Sequence, residues 1–549
     1  MAELHTNPMA KSQGRSTEEG LKLSLAQMML TKKSPEQLIE GSKKHALKKT
    51  LSTMDLTILG IGAIIGAGIF TIAGVAAVGT AITPGAGPGL ILSFIVAGIA
   101  CALAALSYAE FASMIPVAGS VYTYTFASLG EIFAWCVGWV LAIGYTISCI
   151  AVAHGWSGYL MKFIKGFTFL PDWLTHPPVW LVNDYFSAIK VLGDHGLNPA
   201  TAIPHLGPIP ICLDLPAILI IAAITAILIK GTQESTKAAT LMVMLKVGVI
   251  LLFVGIGAFY VKPANWTPFL PNGLEGVLAG AVTVFFAYIG FDAISTAAEE
   301  AKNPEKSLPI ATITSLAVCT LVYIAVVAVL TGMVPINQID IKAPIAAAMS
   351  SVGMSWIAGF ISIGAIAGLT SVLLVMQLGT SRILFAMSRD KLIPKKLAKI
   401  HPEFGTPYLI TLVLGGICMV GSLFIDIAQA AQLCSMSILT AFTLISFEIL
   451  VLRVKRPDLH RPFKVPFAII TCPLAMLACS GLIWTNPIQT KVMYLACLAV
   501  GLIIYFSYVN VRKTDLEKEM LKAHKFRVND LLQSRQAGTM EESETQIKV

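Results

Sequence analysis

The sequence predicts an all-α integral membrane protein with twelve transmembrane helices, on three observations. Of its 549 residues, 56% are hydrophobic and only 13% charged, whereas soluble globular chains carry roughly a quarter charged. The apolar residues gather into twelve runs close to or above the ~20 residues that a helix needs to cross a bilayer. Most of the 39 Lys and Arg residues fall in connections on one side of those runs, the asymmetry that sets orientation in membranes.

Residues 1–55 are polar and Lys-rich. They read as a cytoplasmic tail without a cleavable signal, in which "LKLSLAQMML" (21–30) suits a short surface helix. The expected spans follow at 56–80, 87–112, 122–152, 211–229, 238–260, 276–298, 308–332, 351–386, 408–424, 427–451, 467–484 and 491–511. The first five occupy 56–260, the next five 276–451 and the last two 467–511, and 512–549 form a second polar cytoplasmic tail. The basic residues place both termini inside and the long connection 153–210 outside. Its "FTFLPDWLTHPPVWLV" stretch suits a surface-lying or re-entrant element, and the basic inner connection 388–407 suits contact with anionic headgroups. The net charge of +8 is therefore a topology signal, and nucleic acid is not an expected partner. The ten cysteines have neither paired nor metal-ligand spacing. They read as small buried apolar residues, and no metal site is expected.

The first span contains "ILGIGAIIGAGIFTIAG" (58–74), in which five residues are glycine. Lipid-exposed backbone must be helical, so glycine there has two explanations. Gly62 and Gly66 fit close packing by small residues. A break around Ile65, Gly66, Ala67 and Gly68 fits a cavity-lining interruption. The sixth span, "VTVFFAYIGFDAISTAAEE" (282–300), places Gly290 just before Phe291 and Asp292. Counted five spans per repeat, it is the counterpart of the first span in an inverted second half. Paired interruptions of this kind mark transporter binding sites. Free amides at Gly66, Ala67 and Gly68 suit a carboxylate. Loosened carbonyls around Phe285, Phe286, Ala287 and Ile289 suit an ammonium, so the pair describes the backbone of an amino acid.

Few charges enter the spans. Lys246 lies nine residues into the fifth, about 13 Å deep at ~1.5 Å per residue, and a lysine at such a depth is a functional candidate. Buried lysines exchange protons readily, while a structural lysine bonded to helix-end carbonyls is the alternative, and the two roles can coexist. Asp292 suits either substrate contact or support of the unwound turn. Glu110 reads as a structural or gating acid, Phe286 as an apolar packing ring, and Thr370 and Ser371 as further support around Lys246.

"GIGAIIGAGIF", with "AGPGLILSFIVAGIACALAALSYAEFASMIPVAGSVYTY" (86–124), "FAYIGFDAISTAAEEAKNPEKSLPIAT" (286–312) and "LGTSRILFAMSRDKLIPKKLAKIHPEFGTP" (378–407), resembles the amino acid permeases of the amino acid–polyamine–organocation superfamily. The similarity is greatest to bacterial relatives of the cationic amino acid transporters. The resemblance implies a leucine-transporter-type 5+5 inverted repeat with helices one and six broken, plus two C-terminal helices. It also implies a secondary transporter in a bacterial inner membrane, working by alternating access with a proton as coupling ion and no cofactor. Lys246 matches the family's proton-coupling lysine and Phe286 its aromatic gate. Where relatives carry two acids in the third span, "WVLAIGY" has Val140 and Gly144, so a neutral amino acid suits the chain at least as well as a cationic one. An exchanger, a polyamine carrier and a non-transporting sensor share these features.

"HGWSGY" (154–159) raises a membrane-embedded serine hydrolase, which needs a base brought to the serine. The other histidines, such as His176 and His205, all fall outside the expected spans, which disfavours it. The sequence is silent on oligomeric state.

Overall fold

A computed structural model describes residues 29, 31–32 and 51–509, apart from 116–119, 168–169, 208, 232–235, 293, 296–300 and 395. Nearly all of the two tails, and most of the proposed surface helix at 21–30, therefore lie outside the described residues. Helix α1 (Thr53–Ile64) starts at a reciprocal cap. The Ser52 hydroxyl accepts from the Asp55 amide, and the Asp55 carboxylate accepts from the Ser52 amide, which satisfies donors that the first turn leaves free. After a gap come a π-helical turn, Gly68–Ile72, and α2 (Ala73–Val78).

The chain continues through α3 (Leu90–Met114), α4 (Ser120–Ser128) and α5 (Glu131–Ile164), then α6 (Leu215–Lys230) and α7 (Thr236–Gly257). Next come α8 (Gly273–Phe285), α9 (Pro304–Met333), α10 (Ser355–Arg389), α11 (Tyr408–Phe424), α12 (Ile427–Lys455), α13 (Ala468–Trp484) and α14 (Ile488–Val509). Among the described residues, eight helical segments are long and apolar enough to cross a membrane. Four shorter apolar ones are Leu215–Lys230, Gly273–Tyr288, Tyr408–Phe424 and Ala468–Trp484. The chain is thus a multi-pass, essentially all-helical membrane protein.

Two features differ from the sequence reading. The third expected span is split at Gly130, whose φ of +111° suits glycine, and its main helix runs on to Ile164 rather than ending near 152. The connection that follows carries a two-residue antiparallel ladder, His205–Leu206 with Ile209–Pro210. It also has its own small core of Ala188, Leu192, Ile203 and Cys212.

Side chains crossing between helices fix the bundle. On α5, Trp135 and Trp139 donate their indole N–H groups to the Gly501 and Cys497 carbonyls of α14, at 3.0 and 2.9 Å. Buried indole donors need such acceptors. At the face where α1 begins, called the N-terminal face below, Thr53 meets Ser307 of α9 at 3.0 Å. Thr406, just before α11, donates to the Ile229 carbonyl of α6 at 2.6 Å.

Candidate functional site: two facing helix breaks

The end of α1 leaves carbonyls without intrahelical partners, and two side chains take them. Ile65 leaves the helix with φ −72° and ψ 106°. The Lys246 ammonium, on α7, donates to the Gly62 carbonyl, and the Tyr323 hydroxyl, on α9, donates to the Ile64 carbonyl at 2.9 Å. Across the gap, the Gly66 carbonyl accepts from the amides of Ile69 and Phe70, each at 3.2 Å. Among the described residues, the Gly66 amide, which lies outside both helical stretches, has no backbone acceptor. The positive end of the following helical stretch therefore faces the break.

The second break follows α8. One tight turn, Phe286–Tyr288, ends at Ile289 in extended conformation, and Gly290 takes φ +126°. Asp292 holds this turn. Its Oδ1 accepts from the Gly290 amide at 3.1 Å, its Oδ2 accepts from the Tyr145 hydroxyl of α5, and its carbonyl accepts from Ser295 at 2.6 Å. The Ala287 carbonyl accepts from Tyr323 at 3.0 Å, so a single phenol reaches both breaks. The Phe286 carbonyl is engaged by the Ile289 amide at 3.3 Å.

The two breaks touch, and glycine is the reason that they can. A Cβ on Gly68 would overlap the backbone of Ala287. A Cβ on Gly290 would stand 2.6 Å from the Ala63 carbonyl oxygen. Gly62 and Gly66 instead face side chains, Val243 and Val372, which is the packing role of small residues in membranes. Small-residue packing against side chains is thus seen at Gly62 and Gly66, and close backbone-to-backbone approach at Gly68. Phe285 and Phe286 are buried, and Phe285 meets Phe442 of α12 edge-on at 5.9 Å. Phe442 also packs against Phe291 and Tyr108, so aromatic rings form a layer beside the breaks.

Lys246 is fully buried, and Gly368 of α10 leaves room for its stem and for the Phe70 ring. Its ammonium bonds α1, whereas Thr370 donates to the Ile366 carbonyl and accepts from Trp156 at 2.9 Å. Ser371 is half-buried on the same helix. Glu110 stands apart, toward the N-terminal face. It accepts from Arg453 Nε and Nη2 at 3.1 and 2.5 Å and from the Val465 amide at 2.7 Å, with Arg461 at 3.4 Å. The sequence reading did not single out Tyr323 or Tyr145. The available signal was a hydroxyl amid apolar residues, which must find an acceptor inside the bundle.

The "HGWSGY" residues form a polar cluster at the opposite face. His154 Nδ1 is 2.8 Å from Asp214 Oδ2, and the Ser157 hydroxyl donates to Asp214 Oδ1 at 2.5 Å. Lys342 Nζ lies 3.4 Å from Oδ2 and also reaches the Val182 carbonyl at 3.3 Å. Burial opposes the Asp214 charge, but Lys342, His154 and Ser157 outweigh it and hold the carboxyl below its ordinary range. Serine and histidine each bond the aspartate and not one another, so this is no nucleophile–base pair.

The signature of the family described as "Amino acid permease" matches residues 51–505, which include both breaks and Lys246. The chain belongs to that family. The permease is 46% identical over 481 residues to a branched-chain amino acid permease of Bacillus subtilis (strain 168), covering 87% of this chain and 97% of that protein. It is 43% identical, over the same length and coverage, to a methylthioribose transporter of the same organism. A vacuolar cationic amino acid transporter 4 of Arabidopsis thaliana is 35% identical over 427 residues, 77% of this chain and 66% of that protein. The permease is accordingly a membrane transporter of amino acids and not an enzyme.

Proposed function

We propose that this permease is a proton-coupled importer of neutral, apolar amino acids with twelve spans in a 5+5 inverted repeat followed by two further helices. The meeting of the two breaks carries the reading. In it, the substrate carboxylate rests on the amides of Gly66, Ala67 and Gly68, and its ammonium on carbonyls between Phe285 and Ile289. Tyr323 already donates to the Ala287 carbonyl, so that oxygen is a better acceptor for an ammonium when the phenol turns wholly to Ile64. Because Gly68 presses on Ala287, substrate entry must part the breaks, which is how rocking one repeat against the other would open the site.

Lys246 serves as the coupling group. Bonded to Gly62, its ammonium closes the end of α1; losing a proton would leave a neutral amine that holds the carbonyl more weakly and would loosen the break. Proton and substrate then each favour one facing state. Asp292 supports the turn. Support for a neutral cargo comes from Val140 and Gly144, both buried on α5, with Gly144 against Ser437: neither position carries an acid to pair with a basic side chain. The similarity to a branched-chain amino acid permease points the same way. The basic residues favour cytoplasmic termini, and the similarity to two Bacillus subtilis transporters favours a bacterial inner membrane.

Uptake of a panel of radiolabelled amino acids into proteoliposomes, with and without an imposed proton gradient, tests this reading. Gradient-dependent accumulation of neutral apolar amino acids is expected. Counterflow unaffected by any gradient would replace coupling with exchange, and preferential uptake of arginine or lysine would overturn the cargo.

A further inference from the structure

We propose that Glu448 is a second proton-binding site, occupied in the conformation described here. It lies on α12, seven residues before Lys455, about 10 Å inside that helix end at ~1.5 Å per residue. The carboxyl is fully buried. The Thr125 hydroxyl, on α4, is 2.7 Å from Glu448 Oε1 and 2.9 Å from the Val121 carbonyl. A hydroxyl has one hydrogen, and a carbonyl can only accept. Both are full two-centre hydrogen bonds if Glu448 carries a proton and donates it to Thr125, which donates in turn to Val121; with Thr125 as donor to both, its one hydrogen would be shared between them. The second carboxyl oxygen, Oε2, is buried with no hydrogen-bond partner. That arrangement suits a neutral acid far better than an anion, which demands several donors.

The charged groups on the elements around Glu448 are otherwise engaged. Glu110 of α3 is held by Arg453 and Arg461, and Glu131 of α5 accepts from Tyr505 at 3.2 Å. The Lys32 ammonium is on the Ser128 carbonyl of α4, and Lys455 is exposed. His154, Lys162, Glu275 and Lys491 belong to the opposite end of the bundle, and α4 and α13 carry no charged side chain. Glu448 is six positions beyond Phe442 on α12, so the acid lies between the aromatic layer at the breaks and the Glu110–Arg453 pair. Parting α4 from α12 would wet it from the N-terminal face. The proton would then pass to water, leaving the carboxylate solvated, and return on closure. What this exchange drives rests on the coupled transport proposed above; the presence of the proton does not.

Infrared spectra of the purified full-length protein at neutral pH read that proton directly. A carboxylic-acid carbonyl band that shifts in D2O and disappears in Glu448→Gln is expected. In proteoliposomes, Glu448→Gln, which keeps a donor toward Thr125, should retain counterflow and flatten the pH profile of net uptake. No such band in the unaltered protein, or a band that survives in Glu448→Gln, would overturn the proposal, as would an unchanged pH profile. If Glu448→Gln fails to fold, Thr125→Val takes its place. It should move the band to the frequency of a carboxyl without a hydrogen-bond acceptor, and an unmoved band would count against the site. Loss of gradient drive in a Lys246 variant with the band intact would leave the two proposals separately judged.

Discussion

Buried ionisable side chains fall in two regions of this permease, and their surroundings differ in kind. Near the ends of the bundle, Glu110 and Asp214 are caged. Glu110 has two guanidinium groups and an amide, and Asp214 has Lys342, His154 and Ser157. Deeper in, Asp292 is held by the Gly290 amide and the Tyr145 hydroxyl, but two groups have few partners: Lys246 meets one carbonyl, and Glu448 the Thr125 hydroxyl with Ser128 farther off. Desolvating a charge is repaid only where several partners meet it with good geometry. A caged charge is therefore fixed, and removing a partner damages the fold. A sparsely partnered group can change its proton at little structural cost, and such groups inside membranes mark ion pathways.

The widest separation between these regions should appear on altering Lys246. Lys246→Ala removes one hydrogen bond at the end of α1, so insertion and folding should persist. Accumulation driven by a pH gradient should be lost outright, with counterflow remaining. Uptake into proteoliposomes across a range of gradients checks this, and retained, equally proton-dependent uptake would erase the distinction between the centre and the ends.

Arg453→Ala should do the reverse. Breaking a buried ion pair by removing one partner costs about 3–5 kcal/mol. Here the lower end applies, because Arg453 is partly exposed and Arg461 stays beside Glu110. A clear fall in thermal stability in detergent is expected, with the proton dependence of residual transport unchanged. A stable variant with altered coupling would make Glu110 a gate instead of a brace.

Lys342→Met makes a finer test at the opposite face. Asp214 is held below the ordinary carboxylate value of about 3.9. Its folded-state contribution is therefore complete above that value and lost as pH falls through the lowered folded value. Removing Lys342 raises the folded value, so the stability lost to acid should begin to fall away at higher pH. Thermal unfolding in detergent at a series of acidic pH values would display the displacement, and superimposable profiles would show that Lys342 contributes nothing to the cage.

Much of this was legible from residue order, for physical reasons. Bilayer thickness forces long apolar runs, and glycines inside two of them stand out, so Gly66–Gly68 and Gly290–Asp292 are legible as candidate interruptions from residue order. Gly68 and Gly290 could not be told from Gly62 and Gly66, because only the facing surface, backbone or side chain, distinguishes them. The continuation of α5 to Ile164 was hidden for a related reason. His154 and Ser157 look like loop residues until Asp214, sixty positions from His154, is seen to satisfy them. The engagement of Thr370 with Trp156 and the reach of Tyr323 are likewise properties of packing.

Tyr323 gives the smallest expected effect and the most local one. Its hydroxyl stands 2.9 Å from the Ile64 carbonyl and 3.0 Å from the Ala287 carbonyl, and it can give its one hydrogen to only one of them fully. In Tyr323→Phe both carbonyls lose that donor while the ring still packs between Phe94 and Tyr288. A neutral hydrogen bond contributes about 1 kcal/mol net, so the fold should tolerate the change. If substrate ammonium competes with Tyr323 for Ala287, the variant should bind amino acid as tightly as the parent or more so, while closing less completely after binding. Equilibrium binding together with the rate of counterflow would separate these: unchanged or tighter binding with slower exchange is expected. Weaker binding with unchanged exchange would mean that the phenol is itself part of the substrate's cradle, and that the ammonium rests elsewhere along the sixth-span turn.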